Sequence, residues 1–413
     1  MKFMAKMLSL MLAFSMLMLT GCSGGEDSAA SSSLASSAAS KKPTASVESK
    51  VESMAVSSEA VMPEKNDYSE HTYKFTQIMD YLKINGRHAV TKAGEAAGFV
   101  DCIAFDHTAN LVSFNADCEG DVTITLSINS AAEEGREPKY FLVIVDGVEQ
   151  RMFVKGTKTI EVKTKLTIAT GLKRGNHTFE IYRQTEASHG FCNLISITMN
   201  GVFTERPKNK DLYIEFFGDS ITAGYGNLTT VEDEVQVSYP EKSSGTDTYA
   251  FLTAKALNAD MSAVAQSGVA YTWGQGSKTI YDFWENISFT RPNLGKYQAE
   301  RQPDVVVLAL GTNDHNFYEK EGYTREQLHE AAVKLLTQVR KDRPNAKIVW
   351  YYGILNNTIN KEIKEAIEEV GGEAKGFYYC EDERRQHGGG WHPSKEDHIA
   401  GAQTLTNFLK DII

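Results

Sequence analysis

The second half of this 413-residue chain alternates two kinds of segment, and that alternation restricts its fold more than any other feature. Continuous runs of Val, Ile and Leu, each long enough for one buried strand, are separated by segments of helical length and period. Strands that are apolar along their whole length are typical of parallel sheets with helices on both faces. Residues 208–413 are therefore predicted to form a doubly wound α/β domain. The predicted strands are 212–217, 261–264, 305–310, 348–352 and 376–379, and the predicted helices are 246–257, 325–341, 360–370 and 394–411.

Residues 66–207 have a different pattern, made of short β-branched segments. In residues 122–128 apolar and hydroxyl side chains alternate, which is typical of a half-buried strand. A second apolar run, 140–145, leads into Asp146-Gly147, a pair that favours a two-residue hairpin. A further turn is predicted at 173–176. Short strands at this spacing predict an all-β jelly-roll sandwich ahead of the α/β domain.

The N-terminal segment indicates export. Residues 1–21 are predicted to be a signal peptide, since a basic start precedes an apolar run too short to cross a bilayer comfortably. Leu19-Thr20-Gly21-Cys22 resembles a bacterial lipobox, which implies cleavage before Cys22 and lipid on that cysteine; the alternative is a plain secretory signal. Residues 22–65 are rich in Ser and Ala and predict a disordered tether. We therefore expect a protein anchored to the outer face of the cell membrane.

The charge of the chain restricts its partners. Lys and Arg number 43 against 54 Asp and Glu, a formal net charge of −11, and no basic stripe stands out. Nucleic-acid binding is therefore not expected, because it requires a concentrated positive surface. A tethered monomer is the default expectation.

Four cysteines remain besides Cys22, and their state is left open by the sequence. A bridge from Cys192 to either Cys102 or Cys118 is one alternative, since export permits disulfides. The other alternative is that all four, Cys380 included, are buried free thiols. The spacing matches no disulfide framework.

Polar residues with catalytic potential follow the predicted parallel strands. Ser220 comes directly after the first strand, Gly268 after the second and Asn313 after the third, and His392 precedes the last helix. In doubly wound folds the site lies beyond the carboxyl ends of the strands. We therefore expect these four residues to meet in one crevice, where a histidine base can activate a serine hydroxyl.

The blocks Gly218-Asp219-Ser220, Gly268, Gly311-Thr312-Asn313-Asp314 and His392-Pro393 resemble the four blocks of the SGNH (GDSL-type) hydrolases. Together with the preceding β domain, the string from Phe217 to Asn227 is similar to carbohydrate esterase family 2. The resemblance implies removal of acetyl groups from hemicellulose or its oligosaccharides, with Ser220 as nucleophile and His392 as base. It also implies an oxyanion hole formed by Ser220, Gly268 and Asn313, and a mechanism that needs no metal or other cofactor.

The sequence departs from the SGNH pattern beside the histidine. Many of these enzymes place an aspartate two or three residues earlier, where this chain has Gly389 and Gly390. A backbone carbonyl is expected to orient His392 instead, as the Ser-His dyads of carbohydrate esterase family 2 imply; Asp382 or Glu383 is the alternative. Asp219 and Asp314 are predicted to accept backbone N–H groups that shape the two turns.

Three aromatic residues near the predicted site are candidates for binding substrate. Tyr271 and Trp273 follow Gly268, and Trp391 directly precedes the base. Aromatic faces offer a large, partly apolar surface for a sugar ring. Ordinary packing of the loops is the alternative for all three.

Two other functions compete with the acetylesterase. The same fold also supports a lipase-like enzyme or a peptidoglycan O-acetylesterase, although the loops here are rich in Tyr, Trp, Asn and Gly rather than in the residues of a broad apolar acyl cleft. A surface carbohydrate-binding lipoprotein with a decayed active site is a hypothesis of another class. Only the missing aspartate supports it.

Overall fold

The fold is taken from a computed structural model, which describes residues 64–129, 137–156, 161–232, 240–272, 279–315 and 324–413. These residues belong to one compact unit, Ser57–Ile413. The predicted signal peptide, tether and Cys22 lie outside the described residues, and the predicted boundary between residues 207 and 208 stays a prediction. Within the described ranges, no helix is both long enough and apolar enough to cross a membrane.

The first part of the unit is an antiparallel β domain, as predicted. Nine strands form a single curled sheet with the order β3-β4-β9-β5-β8-β6-β7, while β1 pairs with β9 and β2 with β5. The strands are β1 (Glu70–Lys74), β2 (Lys83–Asn85), β3 (Ala89–Lys92), β4 (Asp101–Ala104), β5 (Leu111–Ile128), β6 (Lys139–Val145), β7 (Val148–Val154), β8 (Val162–Arg183) and β9 (Cys192–Phe203).

Long bulged strands curl this sheet. The pairing of β5 with β8 shifts register between Cys118 and Gly120 and twice more before Thr123, and each such irregularity bends the strands and increases their twist. The turn predicted at 173–176 is wrong, because these residues lie inside β8, where Gly175 pairs with Cys118. Gly and Asn are common in bulged strands as well as in turns, and Arg174 instead binds Glu119 across the strand pair at 2.9 Å.

The hairpin predicted at Asp146-Gly147 is confirmed. Val145 pairs with Val148, and the two turn residues have φ angles of 51° and 81°, as a type I′ turn requires. Asp146 also accepts a hydrogen bond from the backbone N–H of Thr178 at 2.8 Å, which ties the turn to β8.

The second part is the predicted doubly wound domain. Its five strands are all parallel, with the order β11-β10-β12-β13-β14. The second strand in sequence, β11, lies on one side of β10, and the later strands lie on the other side, so the strand order reverses at β10. The strands are β10 (Tyr213–Gly218), β11 (Asp260–Ala265), β12 (Val305–Ala309), β13 (Lys347–Tyr352) and β14 (Phe377–Glu381), and the helices are α1 (Ser220–Ala223), α2 (Tyr249–Ala256), α3 (Arg325–Asp342), α4 (Asn360–Glu369) and α5 (Lys395–Ile412).

Alternate residues of each parallel strand enter two different cores. In β12, Val306 and Leu308 pack into a core with α3 and α4, while Val305 and Val307 pack into a core with α2 and α5. Each buried Leu or Val contributes on the order of 2 kcal/mol to the free energy of unfolding. Both faces of the sheet are thus covered, which leaves the edge at the carboxyl ends of the strands for a site.

Capping residues set the starts of the two longest helices. Thr324 accepts from the backbone N–H of Gln327, whose side chain accepts in return from the backbone of Thr324. Ser394 and Asp397 form the same reciprocal pair at the start of α5. Because this second cap lies two residues after His392, it fixes the chain that leaves the histidine.

The four cysteines of the described residues are buried free thiols. Neither of the bridges considered from the sequence is formed. Burial raises the pKa of the Cys192 thiol to about 11, and that of Cys102 and Cys118 to about 12. Such thiols pack as small apolar groups and are weak nucleophiles at neutral pH.

Candidate active site

Ser220 lies at the sharp junction between β10 and the short helix α1. Asp219 caps this helix, and its side chain accepts a hydrogen bond from the backbone N–H of Ile221 at 2.9 Å. The helix ends after one turn at Gly224, where φ is 82° and a Cβ would lie 2.2 Å from the carbonyl oxygen of Ser244. The serine hydroxyl therefore sits at the carboxyl edge of the sheet in a tightly constrained turn, and its residue is 6% exposed.

The described structure brings Ser220 and His392 together across 172 residues of sequence. Ser220 Oγ lies 2.8 Å from His392 Nε2, and His392 Nδ1 lies 3.0 Å from the carbonyl oxygen of Gly390. A carbonyl only accepts, so Nδ1 carries the ring proton and Nε2 presents its lone pair to the serine hydroxyl. The imidazole is therefore oriented with its unprotonated nitrogen toward the serine hydroxyl.

Three consecutive glycines form the loop that holds the base. Gly388 donates its N–H to the carbonyl oxygen of His392 at 2.8 Å, and Gly389 donates to the carbonyl oxygen of Gly226 at 3.0 Å. Gly390 has a φ of 61°, a conformation that residues with a side chain rarely adopt. The glycines thus replace the expected aspartate with a backbone carbonyl and allow the loop to present it.

Asp382 and Glu383 do not orient the histidine. Asp382 is buried and accepts from the Tyr351 hydroxyl and from the backbone N–H of Glu383, while the Glu383 carboxylate is exposed beside Arg385. The alternative acids considered from the sequence are therefore engaged elsewhere.

The surroundings of His392 favour its neutral form. Burial lowers the pKa of His392 below its ordinary value of 6.5, and the Gly390 carbonyl and the Glu186 carboxylate oppose part of that effect. A general base must be unprotonated when it acts, so this shift increases the fraction of competent histidine near neutral pH.

Three N–H donors are the candidates for the predicted oxyanion hole. Within the described ranges, the backbone N–H groups of Ser220 and Gly268 have no hydrogen-bond acceptor. The Asn313 amide nitrogen donates to the carbonyl oxygen of Val269 at 2.8 Å and makes a longer contact, 3.5 Å, with the Asp219 carboxylate. Gly268 has a φ of 83°, which explains the glycine at this position. The role of these three groups as oxyanion donors stays a prediction.

Asp219 and Asp314 shape the turns, as predicted. Asp314 accepts from the backbone N–H groups of Tyr271 and Thr272 at 3.1 and 2.8 Å. Burial raises the pKa of Asp219 to about 7 and that of Asp314 to about 6. Both carboxyls contact backbone rather than the histidine, so they support the donor loops.

The three aromatic candidates for binding substrate differ in their exposure. The sugar-platform hypothesis is wrong for Tyr271, which is 1% exposed and packs its ring against Trp350 at 5.2 Å. Trp391 is 53% exposed beside the base, so its ring remains available to a ligand. Trp273 lies outside the described residues.

Two site residues were missed by sequence reasoning. The Tyr225 ring lies 4.8 Å from the imidazole of His392, and Glu186 reaches the loop before Gly268 from the β domain. Tyr225 stands inside the string from Phe217 to Asn227 that resembles the family block, but nothing in that string singles it out. Glu186 has no local motif and precedes Ser220 by two strands, β9 and β10, so no sequence signal indicated it.

The α/β domain that carries the site matches a known family model. Residues 216–397, which include Ser220, Gly268, Asn313 and His392, match the GDSL-like lipase/acylhydrolase family. Residues 108–207 match the N-terminal region of carbohydrate esterase 2. The chain therefore has the two-part organisation of the family 2 carbohydrate esterases, and the resemblance drawn from the sequence is confirmed.

Curated relatives and a solved structure share this organisation. The chain is 30% identical over 290 residues to the cellulase/esterase CelE of Acetivibrio thermocellus, covering 66% of this chain and 34% of that protein. It is 28% identical over 255 residues to an acetylxylan esterase / glucomannan deacetylase of Cellvibrio japonicus, covering 58% and 68%. The structure of a family two carbohydrate esterase from Clostridium thermocellum in complex with cellohexaose has a TM-score of 0.66 and 25% identity, covering 80% of this chain and 98% of that one. The chain thus spans about a third of the length of CelE.

Proposed function

We propose that this protein is a carbohydrate O-acetylesterase that hydrolyses acetyl esters on hemicellulose or its oligosaccharides through a Ser-His dyad and an acyl-enzyme. The observation that carries the proposal is the 2.8 Å contact between Ser220 Oγ and His392 Nε2, with Nδ1 held by a backbone carbonyl. No carboxylate is required for this pair to act, because the carbonyl already selects the reactive tautomer.

In the first half-reaction Ser220 Oγ attacks the acetyl carbonyl carbon while His392 Nε2 takes its proton. The carbonyl oxygen becomes an oxyanion, which the N–H groups of Ser220 and Gly268 and the Asn313 amide stabilise; each such donor is worth roughly 3 kcal/mol of transition-state free energy. Collapse breaks the bond to the sugar oxygen, and His392 returns its proton to that leaving group.

In the second half-reaction water hydrolyses the acetyl-serine. His392 removes a proton from the water as its oxygen attacks the acetyl carbon, and the same donors stabilise the second oxyanion. Collapse releases acetate and returns the proton to Ser220 Oγ. Every protein group that takes part in these two half-reactions belongs to the described residues.

Similar proteins and an exposed aromatic residue of this chain both support the proposed substrate class. The relative from Cellvibrio japonicus is named for acetylxylan and glucomannan, and the solved esterase from Clostridium thermocellum holds cellohexaose. In this chain the half-exposed Trp391 stands next to the base, where its ring can contact a sugar that carries the reacting acetyl group. The contact between Ser220 and His392 supports the catalytic hypothesis over a decayed binding protein.

Acetate release tests the proposal. The purified protein should release acetate from acetylated xylan or acetylated glucomannan, and it should hydrolyse short acyl esters in preference to long ones. Binding of either polymer without acetate release would contradict the catalytic claim. Preference for long-chain esters would instead favour the lipase-like alternative.

Anchoring by lipid at Cys22 is part of the same proposal and is supported only by residues 1–22. A Cys22→Ser variant should leave the membrane fraction for the soluble fraction. If that variant still sedimented with membranes, the anchor would have to be sought elsewhere.

The pH dependence of the reaction should follow His392. Its pKa is lowered mainly by burial, so the competent neutral imidazole is present above that lowered value and is lost as the pH falls through it. We expect kcat/KM for a small acetyl ester to rise along an acid limb whose midpoint lies below 6.5, the ordinary value. A pH profile from 4 to 8 measures this, and a midpoint above 6.5 would be incompatible with a desolvated base.

A further inference from the structure

Glu186 connects the β domain to the catalytic edge of the parallel sheet. It follows β8, is 7% exposed, and directs both carboxylate oxygens at one residue of the other domain. Its Oε2 accepts from the backbone N–H of Ser267 at 2.9 Å, and its Oε1 accepts from the Ser267 hydroxyl at 3.0 Å. Arg183 in turn donates to the backbone carbonyl of Glu186 at 3.3 Å, which fixes the loop on which the carboxylate stands.

The residue held in this way directly precedes the oxyanion glycine. Gly268 has a φ of 83° and no side chain, so the direction of its N–H depends on how the residues on either side of it are held. On its other side the loop is held by the contact between Asn313 and the carbonyl of Val269. On the N-terminal side of Gly268, Glu186 fixes the loop by accepting two hydrogen bonds from Ser267.

We propose that Glu186 is a positioning residue that sets the direction of the Gly268 N–H, so that the β domain completes the oxyanion hole. The inference rests on the proposed function, because it concerns the same site. Losing an oxyanion donor lowers kcat by roughly 10²- to 10³-fold, and a displaced donor loses part of that effect. We therefore expect Glu186→Ala to lower kcat by roughly 10- to 100-fold with little change in KM.

Glu186 also affects the base through its charge. It faces His189, whose Nε2 lies 3.8 Å from Oε1, and it interacts electrostatically with Arg183, Tyr225 and His392. His392 additionally interacts with His398, a buried neutral histidine whose pKa burial lowers to about 3. Since the carboxylate favours the imidazolium, its removal should move the acid limb of the kcat/KM profile to lower pH.

Two substitutions separate position from charge. Glu186→Gln keeps an oxygen that accepts from the Ser267 N–H and an amide that donates to the Ser267 hydroxyl, but it removes the charge. Glu186→Ala removes both. The glutamine variant should therefore retain most of kcat while both variants show the shifted acid limb. If Glu186 only stabilised the fold, its substitution would change neither the pH midpoint of the acid limb nor the ratio of kcat to KM.

Glu161 offers a matched control. This second carboxylate of the β domain also accepts from one backbone N–H, that of Gly94 at 2.6 Å, and from one serine hydroxyl, that of Ser127 at 2.5 Å. Both Glu161→Ala and Glu186→Ala should lower Tm, but Glu161→Ala should leave kcat and the pH profile unchanged.

The measurement is kcat, KM and the pH profile of acetyl ester hydrolysis for the full-length wild type and these three variants, with Tm for each. A drop in kcat confined to Glu186→Ala, restored in the glutamine variant, supports the inference. Full-rate hydrolysis by Glu186→Ala beside an active wild type overturns the inference alone. If the wild type hydrolyses no acetyl ester, the proposed function fails first and the inference fails with it.

Discussion

Ser220→Ala should abolish measurable acetate release, with a fall in kcat of roughly 10⁴-fold or more. Without Oγ there is no nucleophile and no acyl-enzyme, and only the oxyanion donors remain to assist direct attack by water. The substitution removes one oxygen from a residue that is 6% exposed, so the fold should persist. Initial rates on acetylated xylan and circular dichroism of both proteins provide the measurement.

Ser113 is a matched control for this variant. It is also 6% exposed, but it lies in β5 of the β domain rather than at the catalytic edge. Ser113→Ala should therefore keep the wild-type rate. If Ser220→Ala retained more than a tenth of the activity, another nucleophile would have to be sought.

His392→Ala should cause a loss of comparable size, roughly 10⁴-fold in kcat, because the serine hydroxyl is a weak nucleophile without a base to take its proton. The two substitutions should not be additive, since serine and histidine act as one unit. Measured rates of the single variants and the double variant test this directly: a double variant much slower than either single one would mean that the residues act independently.

His387→Ala is the matched control in the same loop. His387 is largely exposed and pairs with Asp397 at 2.8 Å, so it touches neither Ser220 nor the base. We expect it to keep most of the activity.

The carbonyl of Gly390 has a further consequence for mutagenesis. If a carboxylate oriented His392, replacing that acid would cost orders of magnitude, as in a triad. Glu383→Gln changes an exposed group and should alter the rate by about twofold at most. A large loss in kcat for this variant would show that the acid moves to the histidine during the reaction.

The sequence predicted the α/β domain well because its signals are local. An apolar run as short as 348–352 favours a buried strand over a helix, and the structure places it in β13, Lys347–Tyr352. The rule that sites lie beyond the carboxyl ends of parallel strands then brought Ser220 and His392 to one edge. Their contact follows from topology together with the family resemblance.

Other features depend on contacts that are remote in sequence. Residues 173–176 have the composition of a turn, but pairing with β5 holds them in a bulged strand. Tyr271 looks like a sugar-binding aromatic only until its burial against Trp350 is known. The carbonyl that orients His392 belongs to the backbone, which every residue has, so composition indicated where an acid was missing but not which oxygen replaced it.

The separation of Ser220 from His392 by 172 residues determines when the chain becomes reactive. Until β10 and the loop before α5 occupy the same edge of one sheet, Ser220 is an ordinary alcohol with no base beside it. A partly folded chain therefore cannot acylate itself or consume esters that it meets before it is complete. Reactivity therefore requires this long-range contact, so its appearance reports that the contact has formed.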